Sequence, residues 1–341
     1  MKNAENAKIG VIGAGSWGTA IAGMLGAKGY AVDLWAYEAE VCRSITEKRE
    51  NTLFLPGIRL SENIRVSDDM HSVAADKDLV VLVVPSHVMR EAATRAVSAL
   101  DAQTIIVSAA KGIENETHLT MTGVLSEVMP GHENRLAVLS GPSFAGEVAR
   151  EVPTVVASAA DDPEVAAYVQ QVLATPFFRV YTNPDVVGVQ LGGAVKNVIA
   201  IASGIVDGLG LGLNSRAALI TRGLTEIRRL GIKLGANPHT FAGLSGVGDL
   251  VLTCTGALSR NHTVGRMIGE GKSLDEILSR MNMVAEGVRT AKSVYNLSKK
   301  VGVEMPIADS VYAVLYEDLN PADAAYQLMT RSLKSELEDV E

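Results

Sequence analysis

Lys196 sits where a folding protein rarely leaves a lysine. The segment Q-L-G-G-A-V-K-N-V-I-A-I-A-S-G-I-V-D-G, residues 190–208, carries Val195, Val198, Ile199, Ala202, Ile205 and Val206 at helical spacing, the core stripe of an apolar helix. Gly192, Gly193, Ala200 and Ser203 share the face of Lys196, where they leave room for a ligand and supply no countercharge. An amine held in such surroundings has a lowered pKa and exchanges a proton near neutral pH, as the general acid of a carbonyl reduction must. The plainer reading is a lysine that snorkels from the helix edge into water.

Three other segments could complete such a site. In G-L-S-G-V-G-D-L-V-L-T-C-T-G, Asp249 lies in a Gly-rich turn opening a short apolar helix, with Thr253 one turn on. Asp249 fits either a helix cap or the countercharge that Lys196 lacks, and the two roles are compatible. Ser259, Arg260 and Asn261 open a further helical pattern. There a guanidinium fork, a hydroxyl, an amide and exposed backbone donors would converge on a phosphate, unless the Arg is simply solvated beside a capped helix. Lys111, in S-A-A-K-G-I-E, follows a strand end, where open α/β sheets bind ligands, and Gly112 after it suggests close backbone approach.

These segments need a scaffold, and the first half of the chain supplies one. Apolar runs at Ile9 to Ile12, Ala31 to Trp35, Leu79 to Val84, Thr104 to Ser108 and Leu136 to Leu139 alternate with helical patterns, as parallel strands with crossover helices do. Thr154 to Ser158 and Phe178 to Thr182 are two more candidates, flanking a helix with Pro163 at its first position. Gly13, Gly15 and Gly18 form G-A-G-S-W-G between the first strand and a helix over Thr19 to Lys28. In that context the glycines allow a tight turn, close approach of a pyrophosphate and close helix packing, so a dinucleotide site is predicted. At the end of the second strand Ala36 and Tyr37 stand where an acid often meets the ribose, so this loop leaves NAD and NADP open. From about residue 186 helical periodicity takes over, with Pro306 and Pro321 in first turns, the latter behind a capping Asn320. The fold class is therefore α/β: a Rossmann-like, doubly wound, mostly parallel sheet over 1–188, followed by an all-α domain over 189–341.

Composition removes other classes. The net charge of -8 argues against a nucleic-acid binder, which gathers Lys and Arg on one face, and aromatic residues make up only 4%. Cys42 and Cys254 show no metal or disulfide spacing, so free thiols in a reducing cytosol and no metal site are expected. The polar start of the chain lacks a signal-peptide apolar region, and Val195 to Val206 falls short of the ~20 residues that span a bilayer, so neither export nor an integral membrane segment is expected.

With these pieces in order, the chain resembles the NAD(P)-dependent glycerol-3-phosphate dehydrogenase family along nearly its whole length, particularly its bacterial cytoplasmic form. The matching segments are G-A-G-S-W-G, F-L-P-G-I, V-V-P-S-H, S-A-A-K-G-I-E, S-G-P-S-F-A-G-E, K-N-V-I-A-I-A-S-G, G-D-L-V-L-T-C-T and S-R-N, in that order. The resemblance implies an oxidoreductase that interconverts dihydroxyacetone phosphate and sn-glycerol 3-phosphate by hydride transfer with NADPH or NADH. It also implies a supply of glycerol 3-phosphate to phospholipid synthesis, a cytoplasmic location and a small-molecule substrate; a homodimer is the default expectation. Ser16, Trp17, Tyr37, Lys111, Ala145, Arg260, Val284 and Glu286 would contact the cofactor along with the three glycines. Lys111, Gly141, Ser143, Lys196, Asn197, Asp249, Thr253, Ser259, Arg260 and Asn261 would bind substrate, with Lys196, Lys111 and Asp249 as the catalytic set. Tyr37 departs from the His or Arg frequent in the bacterial form, which leaves the NADP preference open. A 3-hydroxyacid or ketopantoate reductase, and a nucleotide-sensing protein without catalysis, are the rival readings.

Overall fold

The computed structural model describes residues 3–281 and 285–336. Its chain divides into two compact units, residues 1–110 with 121–186, and residues 111–120 with 187–341. In the first, eight strands form one sheet: β1 (Ile9–Ile12), β2 (Val32–Trp35), β3 (Ile64–Ser67), β4 (Leu79–Leu82), β5 (Ile105–Ser108), β6 (Leu136–Ser140), β7 (Thr154–Ala159) and β8 (Phe178–Asn183). The order is β3-β2-β1-β4-β5-β6-β7-β8, parallel except where β7 runs against β6. Strands β1, β4 and β5 are buried along their whole length, which explains their unbroken apolar runs. The winding reverses between β1 and β4, the switch point outside which such sheets bind ligands.

Each apolar run read from the sequence falls on a strand, and β3 is a strand the runs did not include. It is an edge strand paired only to β2, with Arg65 turned to solvent, so it carries just Ile64 and Val66 as apolar residues. The helix after the glycine motif is Ser16–Ala27, and Asp162 caps the Pro163–Leu173 helix by accepting from the Glu164 N–H at 2.8 Å.

The second unit is helical and is built on Val186–Gly208. This helix is longer than the apolar run suggested. With 23 residues and a mean hydropathy of 1.5 it is long and apolar enough to cross a membrane, yet its apolar window is entirely buried in the fold. Every residue from Gly188 to Val206 is buried, so the helix has no solvent face and Lys196 cannot snorkel. The helix Arg260–Gly269 packs on it with little space between backbones: a Cβ on Gly265 would lie 1.9 Å from the Ile201 carbonyl oxygen, and one on Gly204 would lie 2.1 Å from that of His262. The segment 111–120 joins this unit through Ile113, buried in the same core as Ile199 and Leu250.

Candidate active site

Four side chains in the helical unit form one charged cluster. The Lys196 ammonium donates to Asp249 Oδ1 and, at 2.7 Å, to Thr253 Oγ1. Lys111 Nζ donates to the other carboxylate oxygen, Oδ2, at 2.8 Å. Thr253 Oγ1 in turn donates to the Asp249 backbone carbonyl at 2.6 Å, which turns its lone pairs toward the lysine. Asp249 and Thr253 stand one turn apart on the Asp249–Thr255 helix, so one face presents both acceptors. The N-cap of that helix is Gly248, and the Asp249 carboxylate goes to the lysines instead of capping.

Burial lowers the Lys196 ammonium to about 8; the Asp249 carboxylate works against that shift and Lys111 adds to it. Two ammonium groups around one carboxylate leave the cluster a net positive charge, suited to an oxygen that gains negative charge. Beneath it, burial pushes the Cys254 thiol up to about 12, which keeps it out of nucleophilic chemistry. The room expected on the lysine's face is partly occupied. A Cβ on Gly192 would lie 2.2 Å from the Ser245 carbonyl oxygen, so this glycine admits backbone, and Ser203 Oγ donates to the Cys254 carbonyl at 3.0 Å.

The S-R-N segment opens the Arg260–Gly269 helix. Ser259 is its N-cap and accepts from the His262 N–H at 3.2 Å. Asn261 Nδ2 donates to Asn197 Oδ1 at 2.9 Å, and Asn261 Oδ1 accepts from the Gly287 N–H at 2.9 Å, so two buried amides tie Lys196's helix to the start of Glu286–Val301. Arg260 remains exposed at the helix start, crowded by chain that lowers its pKa and opposed in this by the Glu286 charge. Sequence reasoning missed the support behind this segment: Asp207 Oδ2 accepts from His262 Nε2 and from Arg216 Nη1, each at 2.9 Å. Val284 lies outside the described residues.

The other predicted residues belong to the sheet unit. Gly13 has φ +117 and a Cβ there would lie 2.7 Å from the Val83 carbonyl oxygen, while a Cβ on Gly18 would lie 1.8 Å from that of Gly13. On Gly15 a Cβ would meet nothing within 4 Å. Gly15 is also the N-cap of Ser16–Ala27 and offers no side chain to the first N–H groups, so an anion can approach them. Trp17 Nε1 is buried without a hydrogen-bond partner, its ring tilted against Phe178 at 6.4 Å. These features fit a dinucleotide pyrophosphate. Tyr37 is exposed and stands edge-on to Trp35 at 6.2 Å, itself under the Arg95 guanidinium at 5.5 Å. Gly141 has φ +144, Ser143 Oγ donates to its carbonyl at 3.0 Å, and Ala145 starts the short helix Ala145–Val148.

Family models describing the N-terminus and the C-terminus of NAD-dependent glycerol-3-phosphate dehydrogenase match residues 8–166 and 185–326. The chain belongs to this family. It is 54% identical over 331 residues to the glycerol-3-phosphate dehydrogenase (NAD(P)+) of Syntrophobacter fumaroxidans, covering 97% of both chains. It is 56% identical over 330 residues to that of Geobacter sulfurreducens, covering 96% of this chain and 98% of the relative. The crystal structure of the glycerol-3-phosphate dehydrogenase from Coxiella burnetii matches with a TM-score of 0.92 at 39% identity, over 96% of this chain and 100% of that one. Family membership gives the buried charges a chemical setting: a glycerol-3-phosphate dehydrogenase acts on a carbon bearing oxygen in a phosphorylated molecule, and the helical unit holds both a buried amine and an exposed guanidinium at a helix start.

Proposed function

We propose that this protein is the oxidoreductase that interconverts dihydroxyacetone phosphate and sn-glycerol 3-phosphate. The observation that carries the reading is a buried ammonium, Lys196, clasped by Asp249 and Thr253 in a member of this family. When bound, a nicotinamide dinucleotide supplies the hydride in one direction and accepts it in the other. Gly13, Gly15, Ser16, Trp17, Gly18, Tyr37 and Ala145 of the sheet unit would hold it, with Arg260, Val284 and Glu286 as further contacts. Lys196 donates its proton to the ketone oxygen and recovers it on reversal, while Asp249 and Lys111 orient it and offset the oxygen's growing charge. Arg260, Ser259 and Asn261 take the phosphate, with Asn197, Thr253, Gly141 and Ser143 around the carbon chain, so remote binding energy fixes the reacting carbon.

The same reading makes the protein a cytoplasmic homodimer that feeds glycerol 3-phosphate to phospholipid synthesis. Two free cysteines, Cys42 and Cys254, suit a reducing compartment, and twofold closure is the commonest symmetry of such enzymes. The test follows nicotinamide absorbance on mixing with dihydroxyacetone phosphate, separately with NADH and NADPH. Oxidation of at least one is expected, with little on unphosphorylated dihydroxyacetone. Silence with both dinucleotides would sink the assignment.

A further inference from the structure

Asn51 lies in R-E-N-T-L-F-L-P-G, a stretch between helix Ala39–Lys48 and β3 that no role so far accounts for. Its side chain is fully buried and every polar atom of it is engaged. Nδ2 donates to the Ala14 carbonyl and to Thr19 Oγ1, both at 2.8 Å, and Oδ1 accepts from the Phe54 N–H at 3.0 Å. Thr19 Oγ1 donates to the same Ala14 carbonyl at 3.2 Å, which closes a three-membered network on one peptide group. A second tie runs from the same turn: Ser16 Oγ donates to the Phe54 carbonyl at 2.7 Å.

The anchored carbonyl matters because of what shares its plane. In a trans peptide the C=O of one residue and the N–H of the next point in opposite directions. Holding the Ala14 oxygen toward Asn51 therefore turns the Gly15 N–H away from it, at the residue where a side chain would meet only open space. We infer that Asn51 is a positioning residue for the dinucleotide loop: it fixes the Ala14–Gly15 peptide so that backbone donors stand ready for the pyrophosphate. This rests on the reading of G-A-G-S-W-G as the cofactor loop. The carboxamide is too deeply buried to touch a ligand and acts only through the backbone. Preorganised donors cost no rearrangement on binding, so their loss appears in cofactor affinity rather than in turnover at saturation.

The experiment measures NADH and ADP-ribose dissociation constants and steady-state kinetics for the whole enzyme and for Asn51→Asp, Asn51→Ala, Thr19→Val, Thr19→Ser and Gly15→Ala. Asn51→Asp keeps the acceptor for Phe54 but sets a carboxylate oxygen against the Ala14 carbonyl. Both Asn51 variants are expected to weaken NADH and ADP-ribose together by about tenfold or more, with kcat at saturating cofactor and KM for dihydroxyacetone phosphate within about twofold. Thr19→Val should weaken both ligands by about threefold, with Thr19→Ser restoring them, and it carries the test if the Asn51 variants do not fold. Variants that melt earlier but bind ADP-ribose as tightly as the parent would overturn the positioning role. Gly15→Ala separates the two layers of the argument, since its methyl enters the space left for the pyrophosphate. If it binds normally, the loop reading itself falls; if it binds weakly while the Asn51 variants do not, only the role of Asn51 falls.

Discussion

Lys196 and Glu226, buried on successive helices of the helical unit, are satisfied in different ways. Lys196, on Val186–Gly208, is met by side chains alone: a carboxylate it shares with Lys111, and a hydroxyl. Glu226, on Gly212–Lys233, is met by backbone: Oε1 accepts from the Ile307 N–H at 2.7 Å and Oε2 from the Ala308 N–H at 3.2 Å, at the start of Pro306–Tyr316. Both are shifted mainly by burial, the lysine down to about 8 and the glutamate up to about 7. A perturbed pKa therefore does not distinguish a catalytic group from a helix cap. The partners do. A backbone pair at a helix start is satisfied and finished, whereas a lysine among charged side chains keeps a local field that a substrate oxygen can use.

The largest effect that tests this contrast is on turnover. If Lys196 is the proposed proton donor, Lys196→Ala should lower kcat by about 10²–10⁴-fold while cofactor affinity holds within about twofold, because the variant leaves the sheet unit untouched. The variant should also melt somewhat earlier, since the buried Asp249 carboxylate loses one of its two ammonium partners and keeps only Lys111. Undiminished turnover, in steady-state assays with dihydroxyacetone phosphate, would make Lys196 a structural charge like Glu226.

Glu226 should show the reverse pattern. Glu226→Ala leaves two buried N–H groups without an acceptor and should cost about 2–4 kcal/mol of stability, with kcat of the folded enzyme preserved. Its pH dependence has a definite sign. The folded-state value of about 7 lies above the ordinary 4.5, so below 4.5 the carboxyl is protonated in both states and burial carries no charge penalty. Between 4.5 and about 7 the folded chain holds the extra proton, and stability falls as pH rises, by about 3 kcal/mol in all. Urea midpoints measured across that window should show this slope in the parent and lose it in Glu226→Gln. An equal slope in both would assign the titration to another group.

What the sequence exposed and what it hid follow from the same physics. Strands buried on both faces, such as β1 and β4, leave unbroken apolar runs that can be read directly. Edge strand β3 buries one residue and leaves only a faint pattern. Lys196 was conspicuous because a charge interrupts an apolar helix, but the same helix hid its true length, since Val186 to Ala194 mixes glycines and a buried glutamine that break the apolar pattern. Nothing local marks 111–120 as part of the helical unit, and only the fold brings Lys111 to Asp249. Glu226 reads as an ordinary helix-surface acid in T-E-I-R-R, and Asn51 as a polar loop residue. Their partners are 81 and 37 positions away in sequence, and no periodicity reports such distances.

The finest test of the contrast lies within the lysine's own set of partners. Thr253 contributes a neutral acceptor at 2.7 Å, beside the carboxylate of Asp249. Thr253→Val keeps the shape and removes one hydrogen bond to the charged amine, so desolvation gains and the Lys196 pKa falls further below about 8. In the proposed mechanism, reduction of dihydroxyacetone phosphate needs the ammonium form, so its rate declines as pH rises through that pKa. The alkaline limb of the kcat profile should therefore move to lower pH by less than about one unit in Thr253→Val and return in Thr253→Ser, with only a few-fold loss near neutrality. A limb that stays in place would mean that the titrating group is not the amine that Thr253 holds, and that Lys196 tunes the site without giving up its proton.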